Sequence, residues 1–129
     1  MKTVDEIRLW RGASGPHADV VYRSADGRTW IEPLQHLMRH SLTGIEWGYG
    51  GSGPADLARS ILLLFVAPEE AEQMYQGFKW DVISTLPWSG GTISADRVQA
   101  WIAAQRAEEA WAERDAEPAP RRRRAEEMG

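Results

Sequence analysis

Gly48-Tyr49-Gly50-Gly51-Ser52-Gly53-Pro54 separates two kinds of sequence, and the fold class follows from what lies on each side of it. On the C-terminal side Pro54 opens a helix that the pattern carries to about Val66. Proline suits a first helical turn because its missing N–H would have no intrahelical acceptor there, and Ser52 or Gly53 is the expected cap. Leu57-Ala58-Arg59-Ser60-Ile61-Leu62-Leu63-Leu64-Phe65 is apolar on almost every side, which predicts the central, most buried helix. Pro68-Glu69-Glu70 begins a second helix with two acids where the helix dipole favours them. Its apolar stripe runs through Ala71, Met74, Tyr75, Phe78, Val82, Ile83 and Leu86, and Pro87 ends it. Residues 88–93 read as a turn or a short strand. Ser94-Ala95-Asp96 starts a last helix with Val98, Trp101 and Ile102 inward, after which the stripe thins into Glu108, Glu109, Glu113 and Arg114.

On the N-terminal side, short β-prone runs alternate with turn residues. Ile7-Arg8-Leu9-Trp10-Arg11 has period two, Asp19-Val20-Val21-Tyr22-Arg23 follows, and Arg28-Thr29-Trp30-Ile31-Glu32 is joined to it through Asp26-Gly27. Asp-Gly is a hairpin signal because Gly27 accepts a positive φ. Between residues 33 and 44, Leu34, Leu37, Met38 and Leu42 suggest a short helix or a loop. The expectation is an α+β fold: a three-stranded antiparallel meander packed on two or three helices, with a C-terminal helix and a disordered tail. Residues 1–106 form the compact domain, 107–115 a solvated extension of the last helix, and 116–129 a disordered charged tail broken by Pro118 and Pro120.

Composition narrows the chemistry. The chain has 129 residues, a net charge of −4, seven Trp, twelve Gly and no Cys. One domain of this size leaves no room for separate substrate and cofactor domains. Without cysteine there is no thiolate catalysis, no Cys-type zinc site and no disulfide. The acidic balance gives no general field toward nucleic acid or an anionic membrane. Met1 to Glu6 does not resemble a secretory signal, and the apolar run from Ile61 to Ala67 is too short to span a bilayer, so no membrane association and a cytoplasmic location are expected.

Four constellations remain. Gly48, Gly50 and Gly53 satisfy G-x-G-x-x-G at a helix N-terminus, where free N–H groups and the dipole can hold a phosphate or carboxylate. No Rossmann unit follows, since Pro68 and another helix come next instead of a strand, and no P-loop lysine is present. The run reads as a structural turn for Trp47 and Tyr49, as an anion or small-ligand site, or as a protein contact surface. In the ligand reading Gly48, Gly50, Gly51, Ser52 and Gly53 bind, with Lys79 or Arg59 as charge partners. Ser52 resembles a nucleophile elbow but lacks the closing glycine, so it reads as a cap and no catalytic residue is assigned. His36 and His40 have an i, i+4 spacing that zinc sites use, yet the Glu of H-E-x-x-H is missing, and no metal or cofactor is expected. Trp30, Trp47, Trp80 and Trp101 read as packed. Trp111, among charged neighbours, stands out as an exposed contact residue, with Tyr49 as a second one. Arg121, Arg122, Arg123 and Arg124 offer only weak, salt-sensitive attachment to nucleic acid.

The string Trp47-Gly48-Tyr49-Gly50-Gly51-Ser52-Gly53-Pro54-Ala55, extended by Tyr75-Gln76-Gly77-Phe78-Lys79, Val82-Ile83, Leu86-Pro87 and Ile93 with Val98, Trp101 and Ile102, resembles the hallmark of an uncharacterised domain family of bacteria and phages. The resemblance covers roughly residues 7 to 103. It implies no activity, cofactor or catalytic residue. It does imply a role in phage or mobile-element biology, including action on a host protein complex such as a defence system. Two functions are therefore expected: a non-enzymatic interaction protein with an unidentified protein partner, or a phosphate- or nucleotide-binding module, catalytic or not, built on loop 48–54.

Overall fold

A computed structural model describes residues 2–36 and 44–116, apart from the side chains of residues 115 and 116. The pattern of β-prone runs produces strands β1 (Lys2–Gly12), β2 (Gly15–Ser24) and β3 (Thr29–Pro33). β1 and β2 pair antiparallel out to Gly12↔Gly15, leaving only Ala13 and Ser14 in the connection. β2 and β3 are joined by the Asp26-Gly27 turn, in which Gly27 has φ +89° and the Ser24 N–H donates to Arg28 O at 2.8 Å. A register shift between Val4 and Glu6 marks a bulge that twists the start of β1.

The sheet has four strands, not the three expected. β4 (Gly91–Ser94) pairs antiparallel with β1 from Leu9↔Gly91 to Glu6↔Ser94, giving the order β3-β2-β1-β4. The segment read as a turn or a short strand at residues 88–93 is both, a turn to Gly90 and then the strand, but four residues beginning with glycine carry too little alternation to assign them to the sheet. What forms it is the free edge of β1, whose unpaired N–H and C=O groups need partners. Ile7, Leu9, Ala18, Val20 and Ile93 are buried on one side of this sheet, while Arg8, Trp10 and Ile31 are exposed on the other.

Helix α1 (Ser52–Leu62) is the buried helix that its composition predicts, with Arg59 and Ser52 the residues that are not buried. It starts two residues before Pro54, and its N-cap is Gly51 in an extended conformation, with no side-chain capping bond. Ser52 and Gly53 are therefore helical, not caps; Pro54 fits at the third position because no N–H in the first turn has an intrahelical acceptor. The helix stops at Leu62 instead of Val66. Leu64 and Phe65 donate to Ile61 O and Leu62 O in a tightened final turn, and Ala67, preceding Pro68, is extended.

Helix α2 (Pro68–Asp81) buries Ala71, Met74, Tyr75 and Phe78 as its stripe predicts, but it ends before Leu86 and is followed by a single 3-10 turn at Ile83–Thr85. The Ser84 and Thr85 hydroxyls donate to Trp80 O at 2.8 Å and Val82 O at 2.7 Å, closing carbonyls that further helix would have used. Helix α3 (Ala95–Ala116) begins as expected, with the Arg97 N–H donating to Ser94 Oγ at 3.1 Å. Contacts divide the chain into two compact units, one up to Gln99 and one from Ala100. In the second, the Arg114 guanidinium lies 5.1 Å from the Trp111 ring centroid, and Trp111 is exposed. No helix among the described residues is long and apolar enough to cross a membrane. The short helix or loop expected between residues 33 and 44 falls largely on residues 37–43, outside the described residues, as does the expected disorder of residues 117–129 with Arg121 to Arg124.

Within the core, Ser60 is buried on α1 and its hydroxyl has no hydrogen-bond partner among the described residues. A buried unsatisfied hydroxyl carries a desolvation cost of about 1–3 kcal/mol, so Ser60→Ala is expected to stabilise the protein by about 1 kcal/mol. Urea denaturation checks this; a loss of stability would show that the hydroxyl does make a bond.

Candidate functional site

The entrance to the glycine loop is held by an arginine that sequence reading did not single out. Arg11, at the end of β1, donates from Nη2 and Nη1 to the Glu46 carboxylate at 2.8 and 3.1 Å and from Nε to Trp88 O at 2.6 Å. Its guanidinium lies between two indoles, 4.4 Å from the Trp47 ring centroid and 4.2 Å from that of Trp88. Trp47 Nε1 donates to the same Trp88 carbonyl at 3.0 Å, and the Gly48 N–H donates to Ile83 O at 3.0 Å. Partners 35 and 77 positions apart leave no local pattern, so no signal in the sequence could have revealed this joint.

Arg11 holds the Glu46 carboxyl below the ordinary glutamate range, against a smaller opposing effect of burial. A depressed carboxylate contributes stability above its unfolded pKa, and that contribution is lost as pH falls through the folded value. The exposed Asp26 and Glu32 carboxyls are lowered too, mainly by bonds from Ser24 and Trp30, and act in the same direction. The melting temperature should therefore drop on acidification from about pH 6 to about pH 3, and drop less in Glu46→Gln. Equal acid sensitivity of the two proteins would contradict this role for the pair.

Beyond Gly48 the loop is shaped by two aromatic rings. A Cβ at Gly50 would fall inside the Trp80 indole, and one at Gly51 would meet the Tyr49 ring, so glycine permits the backbone to lie flat against both. Gly50, Gly51 and Ser52 then line a recess of about 340 Å³ at the N-terminus of α1, together with Ala55, Gln76 and Lys79. The Ala55 N–H is used by Gly51 O at 3.0 Å, whereas the N–H groups of Gly50 to Gly53 find no backbone acceptor among the described residues. Lys79 is 7% exposed. Its ammonium is 3.5 Å from Gly50 O and 4.3 Å from the Trp80 ring centroid, and it pairs with no carboxylate among the described residues. At 3.5 Å that bond is at the outer limit of a hydrogen bond, for a group with three donors.

Of the residues expected at this loop, Gly50, Gly51, Ser52 and Lys79 come together. Gly48 has given its N–H to Ile83, and Gly53 packs against Glu46 Cβ, where an added Cβ would be at 2.8 Å. Arg59 is turned away: its Nε donates to Glu72 at 3.3 Å. Trp80, expected to pack inside, is exposed because it lies off the Ala71, Met74, Tyr75, Phe78 stripe. Trp111 and Tyr49 are exposed, but so are Trp10, Trp80 and Trp88, so Trp111 is not a lone exception. His36 is not helical; its Nε2 lies 3.1 Å from Oδ2 of the fully buried Asp56, while His40 is outside the described residues. Sequence reading gave Asp56 no role.

The model of a family of unknown function (DUF6166) matches residues 10–104. No curated protein and no solved structure matches the chain.

Proposed function

We propose that this chain, which belongs to the DUF6166 family, is a non-enzymatic binding module that captures an oxyanion in the recess at the N-terminus of α1. The observation that carries the reading is Lys79: a side chain only 7% exposed, beside loop N–H groups that find no backbone acceptor and with no carboxylate partner among the described residues. A buried charge is costly unless it is paired, so an incoming phosphate or carboxylate completes what the fold leaves open. The partial positive charge of the helix N-terminus acts in the same direction. A cytosolic setting and a place in phage or mobile-element biology belong to the same proposal, on the strength of the motif resemblance.

Inorganic phosphate at about ten times its Kd should stabilise the protein by about 1.4 kcal/mol, which for a domain of this size is a rise of several degrees in Tm, measured against chloride at equal ionic strength. In Lys79→Met that rise should disappear. A similar rise in both proteins would sink the site. Capture of a protein partner is the second reading, supported by the exposed indoles of Trp88 and Trp111.

A further inference from the structure

Resting on the oxyanion reading, we infer that the ligand is a phosphomonoester carrying an aromatic base, that is, a nucleoside monophosphate. Charge sets the first half of the inference. One ammonium and a helix N-terminus supply roughly 1.5 positive charges, which match the roughly −1.5 to −2 of a phosphate monoester at neutral pH. A carboxylate would leave the ammonium partly uncompensated, and a polyphosphate would bring charge that the recess does not meet.

Shape sets the second half. The two loop residues on the recess floor, Gly50 and Gly51, each lie against an aromatic ring, Trp80 and Tyr49 respectively, and both rings are more than half exposed. Paired exposed aromatics offer a stacking surface, and these two flank Gly50 and Gly51, whose N–H groups find no backbone acceptor among the described residues, with the Lys79 ammonium 4.3 Å from the Trp80 ring centroid. A flat base attached to a phosphate in the recess covers ring surface that neither the loop nor α2 covers. Base–aromatic stacking supplies affinity without demanding a particular base. Gln76, also on the recess, offers an amide donor and acceptor to the sugar or the base.

Calorimetric titration of the full chain with AMP, ribose 5-phosphate, inorganic phosphate and ATP tests the inference. AMP should bind about tenfold more tightly than ribose 5-phosphate, which keeps the phosphate and sugar but lacks the base. ATP should bind no more tightly than AMP. In the double variant Tyr49→Ala, Trp80→Ala the ratio of AMP to ribose 5-phosphate affinity should fall to about one. Equal affinities in the wild-type protein, tighter binding of ATP, or a ratio that survives in the double variant would each overturn the nucleotide assignment while leaving the oxyanion site standing. Absence of binding by all four compounds would remove both.

Discussion

Gly90→Ala is expected to lose about 3 kcal/mol of stability or more, from a change of one methyl group. Gly90 has φ +101°, and a Cβ there would be driven into the Leu9 peptide, inside contact distance of its carbonyl oxygen and 2.8 Å from its carbonyl carbon. The obstacle is backbone in the middle of β1, so no side chain can swing aside to relieve it. The residue closes the Pro87–Gly90 turn through an N–H bond to Pro87 O at 2.9 Å and delivers the chain to β4. Losing that approach detaches β4 from β1 and disturbs the Trp88 carbonyl that anchors Arg11 and Trp47. Gly15→Ala is the control. Gly15 has φ +117° with nothing within 4 Å of an added Cβ, so it bears the left-handed strain alone, about 1 kcal/mol. Equal losses in the two variants by urea denaturation would show that the close approach to Leu9 is not what matters.

Trp47→Ala should cost about 3–5 kcal/mol, the range for deleting a fully buried large aromatic. Trp47 is 1% exposed, stacks on Arg11 and donates to Trp88 O, so its removal empties a large volume and frees the loop entrance together. Trp47→Phe, which keeps most of the packing and loses the indole donor, should cost only about 1–2 kcal/mol, through the lost hydrogen bond and reduced volume. Because the same side chain pins the chain just before Gly48, the alanine variant should also lose its phosphate response even where enough folded protein remains to measure it. A phosphate response retained in Trp47→Ala would separate the loop's conformation from the anchor.

The strands and helices were legible because burial imposes period two on Ile7 and Leu9 and a 3.6-residue stripe on Ala71 to Phe78. β4 was legible only as one of two alternatives at residues 88–93, and not as part of the sheet, since its pairing is dictated by an edge of β1 that lies far away in the chain. Helix ends shifted for local reasons that propensity does not weigh: Gly51 extended at one end of α1, and the Ser84 and Thr85 hydroxyls beyond α2. At the candidate site, the glycine spacing placed the loop at the N-terminus of α1, and Lys79 could be named as a charge partner without any means of knowing that it is buried. Trp80 misled because a tryptophan beside an apolar stripe resembles one within it. The Arg11, Glu46, Trp47 and Trp88 joint and the His36–Asp56 contact join segments that only the folded chain brings together.

Whether Gly50, Gly51, Ser52 and Lys79 form an oxyanion site is decided by following backbone amide resonances while inorganic phosphate is added at constant ionic strength. The Gly50, Gly51 and Ser52 amides should shift together with a single saturating curve in the wild-type protein, and stay in place in Lys79→Met. Shifts spread over the surface without saturation, or loop amides that respond equally without the lysine, would contradict the oxyanion reading.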